Sequence, residues 1–392
     1  MTVNLTGADK ALKAYYLDAV AEQLNMGVHP FMSAIEKTTS DVWGKEIRKL
    51  AVYGINGGIG AGTEDGVLPT AVGNNYENFV LSLKNLYGTI EISDKAIRAS
   101  ENNAGAFVNL LNAEMEGLIK SSKFNFSRML FGDGTGAITK VVSVDDKGNV
   151  IVESVAGIKE GMYVDFMNES GNTLQEVQNK KVIAVDREKK SITLSGSKMP
   201  ADSLGVCNLV TLHNSWGKEI TGLKAIFNNS GTLYGLDRST HKWLCPYIQE
   251  DVGEIDEMKL QTAIDSIEEF SGNGVNFIVC SMGVRRALMK AFAKSNANID
   301  TLELAGGFKA ISYNGIPIVA DRFCDAGTLY LLNTNDFALH QLCDWQWLEG
   351  EDGSVLKQVA GKPVYTATLV KYADMICSKP CGQGVLRGIT EE

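Results

Sequence analysis

Hydrophobic positions along this chain follow several spacings, and each spacing predicts a different kind of element. The longest helical pattern runs from Ala104 to Phe131, where apolar side chains recur three and four positions apart and so fall on one helix face. At 1.5 Å per residue, this helix would be about 40 Å long. It ends at the run Gly132-Asp-Gly-Thr-Gly136, because closely spaced glycines favour a sharp turn. The pattern therefore predicts a rigid helix that can span a flat domain.

A glycine-rich segment between Gly54 and Gly73 contains few large apolar side chains. Folding it costs backbone entropy, and it has little surface to bury in return. On either side, Ile47 to Ile55 and Tyr76 to Ile92 have the alternating pattern of extended strands. We therefore predict a long hairpin that projects from the body of the protein. Its glycine-rich end is expected to be ordered by another molecule.

Short alternating runs separated by turn residues fill Ile138 to Leu212. The segments Asp145 to Gly148 and Asp186 to Lys190 are typical of hairpin connections. Closely spaced strands of this kind predict a compact all-β module of about 75 residues, either a small barrel or a sandwich.

Helix and strand patterns alternate between Ile255 and Leu342, which predicts an α/β unit with its own core. A helix is predicted from Asp256 to Phe270, and Ser281 stands where the N-cap of a second helix is expected. Asn314-Gly315, between two apolar runs, is the strongest short hairpin signal of the chain. Further extended segments are predicted at Val364 to Ile376 and Gly384 to Ile389.

The first residues show no targeting pattern. Met1 to Lys13 lacks the basic patch and apolar core of a secretory signal, so we expect the protein to be made and kept in a cytoplasm. Asp9 to Leu24 has one apolar stripe, which predicts a helical N-terminal arm that stops near Gly27. No run of about 18 apolar residues occurs, so we expect no membrane span.

The composition allows a globular chain of two or three domains, because 44% of its 392 residues are hydrophobic. The chain has 47 Asp and Glu residues and 37 Lys and Arg residues. Because it has no basic surplus, its composition argues against a nucleic-acid-binding protein. Seven cysteines without paired spacings are expected to be reduced and mostly buried. Cys377 and Cys381 lie close together but lack the second half of a structural zinc site.

Other candidate sites each have a simpler structural explanation. The glycines from Gly54 to Gly62 could suggest a phosphate loop, but no Lys-Ser or Lys-Thr follows, and Glu64 and Asp65 would repel phosphate. The histidines lie in different segments, without a nucleophile motif nearby. They are His29, His213, His241 and His340. In each of the acid pairs Glu114 with Glu116 and Glu268 with Glu269, the two side chains point to different helix faces. Trp345 and Trp347 would lie on one face of a strand, which suits apolar packing or an intersubunit contact. We therefore assign no catalytic, cofactor-binding or metal site.

The order of these parts resembles the major capsid protein of tailed bacteriophages, which has the Hong Kong 97-type fold. Two sequence segments are also similar to segments common in phage capsid subunits, namely Leu86-Tyr-Gly-Thr-Ile-Glu-Ile-Ser93 and Tyr313-Asn-Gly-Ile-Pro-Ile-Val319. The resemblance implies an α+β chain that begins with an N-terminal arm (1–45) and an extended β-hairpin loop (46–92). A peripheral domain with a spine helix would follow in two parts (93–137 and 213–254), which are separated by a β-rich insertion domain (138–212). An axial domain (255–345) would come next, and the chain would end with a return strand of the peripheral domain and a C-terminal strand (346–392). The module at Ile138 to Leu212 departs from the basic pattern, although some relatives carry an insertion.

The resemblance implies a structural protein and not an enzyme. Copies would form hexamers and pentamers of an icosahedral phage head around double-stranded DNA, with contacts through the arm and the extended loop. Portal, scaffold and decoration proteins are the further partners it implies, and the virion is its expected location. Some relatives join subunits through Lys to Asn cross-links. No local motif in this sequence matches such a cross-linking site. Lys49 and Lys84 lie near the loop, but they belong to no such motif.

Two other interpretations stay open at this point. An encapsulin-like bacterial compartment shares the fold but packages enzymes. A hydrolytic or nucleotide-dependent enzyme would instead use the α/β unit around Ser281 and Asp256.

Overall fold

The computed structural model of the chain describes residues 30–95, 104–196, 199–294, 301–304, 308–350 and 353–392. The helix predicted at Asp9 to Leu24, and with it His29 and most of the N-terminal arm, lies outside these residues. The described α-helices are α1 (Pro30–Ala34), α2 (Ala104–Met129), α3 (Ala201–Val206), α4 (Leu223–Ile226), α5 (Glu257–Ser271) and α6 (Met282–Lys294). Short 3-10 helices occur at Gln175–Val177, Lys242–Leu244, Thr334–Asp336 and Pro380–Gly382.

The strands fall into sheets that are described in turn below. The first thirteen are β1 (Glu36–Thr38), β2 (Val42–Trp43), β3 (Glu46–Tyr53), β4 (Asn75–Ser82), β5 (Lys84–Ser93), β6 (Ala137–Val144), β7 (Val150–Val152), β8 (Tyr163–Met167), β9 (Lys180–Asp186), β10 (Ser191–Leu194), β11 (Leu209–Leu212), β12 (Thr232–Leu233) and β13 (Leu236–Asp237). The others are β14 (Tyr247–Gln249), β15 (Phe277–Cys280), β16 (Thr301–Leu304), β17 (Phe308–Tyr313), β18 (Ile316–Ala320), β19 (Leu329–Leu332), β20 (Phe337–Trp347), β21 (Lys357–Gln358), β22 (Val364–Cys377) and β23 (Gly384–Leu386).

A five-stranded sheet is built around β22, which pairs with β20 and β21 and also with β5. Helix α2, predicted at Ala104 to Phe131, is confirmed to within two residues and packs across this sheet. Its Met115, Ile119 and Phe126 are buried in the same core as Leu86 of β5. The helix approaches closely because β5 has Gly88, where a Cβ atom would lie 2.8 Å from Cδ1 of Leu118.

The predicted hairpin is formed by β3 and β4, which pair from Glu46 with Ser82 to Tyr53 with Asn75. The single arm predicted from Tyr76 to Ile92, and the hairpin boundary at residue 92, are wrong. The strand breaks at Leu83, and β5 beyond it pairs with β22 of the five-stranded sheet. The physical reason is that the inward-facing apolar side chains change register at this point, from Phe79 and Leu81 to Leu86 and Ile90.

Residues 137–212 contain a closed barrel with the strand order β10-β7-β6-β11-β8-β9. Of the two forms predicted for the all-β module, the barrel is therefore the one observed. Its core is a separate cluster that includes Val150, Phe166, Val182 and Ile192. The predicted turn at Asp145 to Gly148 joins β6 to β7, with Gly148 at φ 86°.

A seven-stranded sheet, in the order β14-β23-β19-β15-β18-β17-β16, carries α5 and α6 over one core cluster. The predicted hairpin at Asn314-Gly315 is confirmed, because both residues have positive φ and join β17 to β18. The boundary predicted at residue 345 is wrong in part. Strand β20 pairs with β22 in the other sheet, whereas β14 and the C-terminal β23 join the seven-stranded sheet. Among the described helices, none combines the length and apolar character that crossing a bilayer requires.

Candidate assembly surface

The loop that closes the β3–β4 hairpin is the most exposed apolar part of the described chain. No strand or helix forms between Gly54 and Asn74. Val67 and Leu68 are 97% and 84% exposed, and Ile55 and Ile59 are exposed as well. Isolated exposed apolar residues are normal, but a cluster of them on one projection is typical of an interaction site.

The glycines of this loop contact other residues of the hairpin and not the body of the protein. A Cβ atom at Gly57 would meet only Val72, one at Gly60 would meet Pro69, and one at Gly66 would meet Thr63. The loop therefore gains little buried surface within its own chain, as the sequence predicts.

The hairpin strands have one covered face and one bare face. Ile47 and Phe79 point toward the body and are fully buried. Leu50, Val52 and Tyr76 point to the opposite face and are exposed. The strands therefore continue the exposed apolar surface of the loop toward the sheet.

The paired strands of the hairpin, in contrast, are firmly attached up to the last pair before the loop. The ring of Trp243 stacks on Tyr53, with centroids 5.0 Å apart, and on Phe79, with centroids 5.7 Å apart. The backbone N–H of Val80 donates to the carbonyl oxygen of Tyr234 at 3.0 Å. Since these contacts lie on the loop 228–245, this loop fixes the direction in which the hairpin leaves the body.

Arg238 stabilises that loop from inside. Its guanidinium is buried and donates to the carbonyl oxygens of Ser230, Ala225 and Ile226 at 3.0, 2.6 and 2.9 Å. Burial lowers the pKa of Arg238. The carbonyl dipoles are the partners that make a buried cation tolerable here.

Buried charges connect the spine helix α2 to the chain that leaves the barrel. Arg128 of α2 forms a buried ion pair with Glu219. Two residues later, Thr221 donates its backbone N–H to Asp374 of β22 at 2.6 Å. Burial raises the pKa of Asp374 to about 6, although the hydrogen bonds from Thr221 and Met375 act in the opposite direction.

The run Gly132-Asp-Gly-Thr-Gly136 forms part of the same junction. Gly134 and Gly136 have φ of 85° and 87°. A Cβ atom at Gly136 would lie 2.9 Å from the carbonyl oxygen of Ser215, so the two chain segments that connect the barrel to the body can pass close together only because this residue is glycine.

A third buried cation lies in the five-stranded sheet. Lys371 of β22 is fully buried and donates to Gln341 at 2.7 Å and to Asp344 at 2.6 Å. Its ammonium nitrogen lies 5.7 Å from the ring centroid of Phe126. Burial lowers the pKa of Lys371, and the carboxylate of Asp344 counters this effect.

The candidates for hydrolytic chemistry have structural roles. Ser281 accepts a hydrogen bond from the backbone N–H of Val284 at 3.2 Å and donates its hydroxyl proton to Glu391. Asp256 accepts from the backbone N–H of Lys259 at 2.8 Å. Both residues are N-caps, Ser281 of α6 and Asp256 of α5, and the sequence predicts this role for Ser281.

The described histidines are held in separate places. His213 contacts the buried Asp165 of the barrel at 2.8 Å. His340, which is buried, donates from Nδ1 to the carbonyl oxygen of Ser40 at 3.0 Å. His241 lies against the ring of Trp243.

The other candidates also lie in structural surroundings. Trp345 and Trp347 are buried in the core of their own chain. Burial raises the pKa of both Cys377 and Cys381, which disfavours the thiolate form that binds metals. Within the described part of the chain, no three His, Cys, Asp or Glu side chains cluster as metal ligands do. Glu114, Glu116, Glu268 and Glu269 are exposed.

The extended hairpin, the spine helix, the five-stranded sheet and the seven-stranded sheet together define the Hong Kong 97-type fold of phage capsid subunits, as the resemblance implies. A chain of the cyanophage A-1(L) capsid is similar over 96% of this chain and 95% of its own length, with a TM-score of 0.54 and 13% identity. A likeness at this identity establishes the fold alone.

Two further solved structures are similar over most of their length. The SrpI encapsulin of Synechococcus elongatus PCC 7942 covers 92% of this chain and 88% of its own, with a TM-score of 0.49 and 10% identity. A chain of the satellite phage P4 procapsid covers 96% and 97%, with a TM-score of 0.45 and 11% identity. No protein-family model matches the sequence, and no curated protein matches it.

The sequence alone does not reveal the residues that hold the hairpin strands and the barrel junction. Trp243 and Arg238 lie in a segment without a regular hydrophobic pattern, so its residues predict no helix or strand. The available signal was the presence of a tryptophan and an arginine in a stretch rich in turn residues, since such side chains in loops must find partners when buried.

Proposed function

We propose that this chain is a major capsid protein, a self-assembling subunit of an icosahedral phage head that encloses double-stranded DNA. The observation that carries the proposal is the bare hairpin loop, where the apolar side chains of Ile55, Ile59, Val67 and Leu68 are largely exposed and the glycines meet only other hairpin residues. Burying this surface on neighbouring copies would stabilise each contact, and large obligate interfaces bury about 2,000 Å² or more. The fold shared with the cyanophage capsid chain supports the same conclusion.

Under this proposal the protein acts by geometry and has no active site. Identical subunits form rings of five and six, and the rings close into a shell. Portal, scaffold and decoration proteins are the partners we expect besides the chain itself. The head of the virion is its proposed location, and the host cytoplasm is where assembly would occur. The subunit has a net charge of −10, which suits a shell that does not bind its DNA tightly.

Imaging of the purified chain tests this function. The full-length protein, expressed alone and together with the other head proteins of its source, is examined by sedimentation and electron cryo-microscopy. We expect closed shells with fivefold and sixfold rings. A compact monomer that persists at high concentration under both conditions would contradict the proposal.

An encapsulin-like compartment is the alternative within the same fold, and the particle contents distinguish the two. The gene of a phage capsid protein is expected near genes for a terminase, a portal and a protease. The head that this protein forms is filled with DNA. A compartment would instead contain enzymes. The similarity to the SrpI encapsulin, at a TM-score of 0.49, does not decide between them.

An enzyme based on Ser281 and Asp256 is the alternative from another class. Because both side chains cap helices, we expect Ser281→Ala to cost about 1 kcal/mol of stability through the lost cap and to leave assembly intact. Turnover of an ester or nucleotide substrate that disappears in this variant would support the enzyme instead.

A further inference from the structure

Two cations from separate parts of the fold lie against the ring of Phe124 in the spine helix α2. Lys159 of the barrel has its ammonium nitrogen 5.7 Å from the ring centroid. Arg322, in the turn after β18, has its guanidinium carbon 5.2 Å from the same centroid. Lys123 precedes Phe124 in α2 and adds a third positive charge. We call Lys123, Lys159 and Arg322 the cationic cluster, to which the helix, the barrel and the seven-stranded unit each contribute one residue.

Aromatic rings hold Arg322 in place. Its guanidinium carbon also lies 4.8 Å from the ring centroid of Phe323. The rings of Phe124 and Phe323 pack edge to face, with centroids 5.2 Å apart. Contact with a ring orients a guanidinium without using its N–H groups. Arg322 is exposed, so these donors are directed at solvent and are available to an anion.

No carboxylate neutralises the cationic cluster. Among the described residues, none of its three side chains forms an ion pair. The acids beside them in sequence have other partners. Glu160 accepts from the backbone N–H of Val185 at 3.2 Å, and Asp325 pairs with Lys224 at 2.7 Å. Asp321 is buried and accepts a backbone hydrogen bond at 2.8 Å.

The uncompensated charge of the cluster is a cost within the chain. Burial lowers the pKa of Lys123, and no carboxylate counters this effect. For the buried Lys371, in contrast, the carboxylate of Asp344 does counter it. Like charges that the fold brings together repel one another, and an anion bound between them removes the repulsion. The cluster therefore lacks a negatively charged partner, which must come from outside the chain.

The cluster lies on the helix-covered face of the peripheral domain. Ile119 and Phe126 of α2 are buried against the five-stranded sheet. Phe124 is two positions from Phe126 and so points to the opposite side of the helix. Lys120, one turn before Phe124, extends the positive surface, and its pair with Glu116 is long, at 3.9 Å, and exposed. In a closed shell built from a two-layered subunit, one broad face points to the contents.

We propose that the cationic cluster is a contact site for the phosphate backbone of the DNA that the shell encloses. Its three cations each bind a phosphate oxygen. The contact does not depend on base sequence, because it reaches phosphates and not base edges. The chain as a whole carries a charge of −10 and repels DNA, so the cluster fixes where the DNA approaches the shell. This inference rests on the proposed function and assigns the helix-covered face to the inside.

DNA binding by the purified subunit tests the site. The probe is a fluorescein-labelled duplex of about 20 base pairs, and its anisotropy is measured between 50 and 200 mM NaCl. The cluster variant carries Lys123→Gln, Lys159→Gln and Arg322→Gln. We expect it to bind at least about tenfold more weakly than the wild type at 50 mM NaCl. Its slope of log affinity against log salt should be shallower by about 2.7, since three phosphate contacts are lost at about 0.9 each.

A matched control carries Lys147→Gln, Arg187→Gln and Lys189→Gln in two exposed turns of the barrel. It removes the same two lysines and one arginine and is expected to bind DNA like the wild type. Circular dichroism and thermal unfolding verify that each variant is folded. If Arg322→Gln disturbs the packing of the two rings, the variant with only the two lysine substitutions replaces it. The slope should then be shallower by about 1.8.

Chemical modification of whole particles locates the contact. Lysines of DNA-filled and DNA-free heads are acetylated with acetic anhydride and quantified by mass spectrometry. We expect Lys159 to react at least about fivefold less in filled heads, and Lys147 to react equally in both. Equal reactivity of Lys159 would show that the cluster does not face the DNA and would overturn the site.

The remaining outcomes separate this site from the proposed function. Wild-type shells together with unchanged DNA binding by the cluster variant would overturn the site and leave the capsid role intact. Release of the duplex by poly-glutamate as readily as by unlabelled duplex would also overturn it, because the cluster would then fit an acidic protein segment equally well. A wild-type protein that forms no shell would overturn the capsid role, whereas anisotropy with the subunit would still show whether the cluster binds phosphates.

Discussion

Arg128 and Glu219 are opposite charges that are both removed from water, so each depends on the other. We predict that Arg128→Met or Glu219→Leu alone lowers the free energy of unfolding by about 3 to 5 kcal/mol, because an unpaired charge stays buried. The double variant is expected to cost less than the sum of the two, since no charge remains. Urea unfolding of the four proteins measures the coupling.

The exposed pair of Lys224 and Asp325, about half exposed on both sides, is the control for this cycle. Lys224→Met is expected to change the stability by less than about 1 kcal/mol, because water screens an exposed pair. Equal effects of the buried and exposed pairs would show that Arg128 and Glu219 do not connect the helix to the barrel exit as the structure indicates.

Asp374 makes the stability depend on pH in an unusual direction. Its pKa in the folded protein is about 6, above the ordinary value of 3.8, so the folded state binds the proton more tightly than the unfolded state does. The stabilising effect of the neutral carboxyl is therefore present at low pH and is lost as the pH rises from about 4 through 6. The difference between the folded and the ordinary pKa corresponds to about 3 kcal/mol.

The variant Asp374→Asn is predicted to lack this dependence. Its amide oxygen can still accept from the backbone N–H of Thr221, and it has no charge to bury. Urea unfolding at pH 4.5 and 7.5 gives the difference between wild type and variant at each pH. We expect the variant to gain about 2 kcal/mol relative to the wild type at the higher pH. A difference that does not change with pH would show that Asp374 is ionised throughout this range.

At the scale of elements, the hairpin combines firmly attached strands with a bare loop. We predict that Trp243→Ala loosens the strands, because it removes the stacking on Tyr53 and Phe79 and costs about 2 to 4 kcal/mol. Hydrogen exchange should then speed up at the amide of Val80, which donates to Tyr234 in the folded protein.

Tyr76→Ala is the matched control, since Tyr76 lies on the exposed face of the same hairpin. We expect it to leave exchange at Val80 and the overall stability within about 0.5 kcal/mol of the wild type. Fast exchange at Val80 in the unaltered protein would show that the strands are as mobile as the loop.

Elements with strong local patterns were predicted closely, and long-range pairing was not. The repeat from Met115 to Met129 defines α2 because a helix is specified by neighbours three and four positions apart. The break at Leu83 was visible only as a change of alternation, in which Leu81 and Leu86 point to the same core. An alternating strand has the same sequence pattern in either sheet, so β20 could not be assigned from its residues alone.

The candidate assembly surface was predictable in part, for a reason that applies to the whole molecule. A glycine-rich loop with exposed apolar groups reveals that something must cover it, because its own residues supply too little buried surface. The attachment of the hairpin strands depends on the loop 228–245, which is far from them in sequence. Only the fold brings Trp243 against Tyr53 and Phe79.

The whole molecule should keep its stability but lose its assembly when the loop is removed. Residues 54–74 can be replaced by Asn-Gly, because Tyr53 and Asn75 form the last pair of the hairpin and a two-residue turn closes such strands. Closing a shorter loop costs less entropy, so we expect the isolated subunit to gain about 2 kcal/mol. Shell formation should be abolished, because the apolar and acidic groups of the loop are gone. Thermal unfolding and electron microscopy measure the two effects separately.

A control variant carries a Gly-Ser linker of the same length in place of residues 54–74. It preserves the reach of the loop but not its side chains, so it is expected to fold and also to form no shells. Shells from the linker variant would mean that the loop acts only as a spacer, and shells from the two-residue turn would mean that the projection is dispensable. Failure of both variants, with folded subunits in each case, would locate the drive for assembly in Glu64, Asp65, Val67, Leu68 and their apolar neighbours, which the folded chain leaves exposed to solvent.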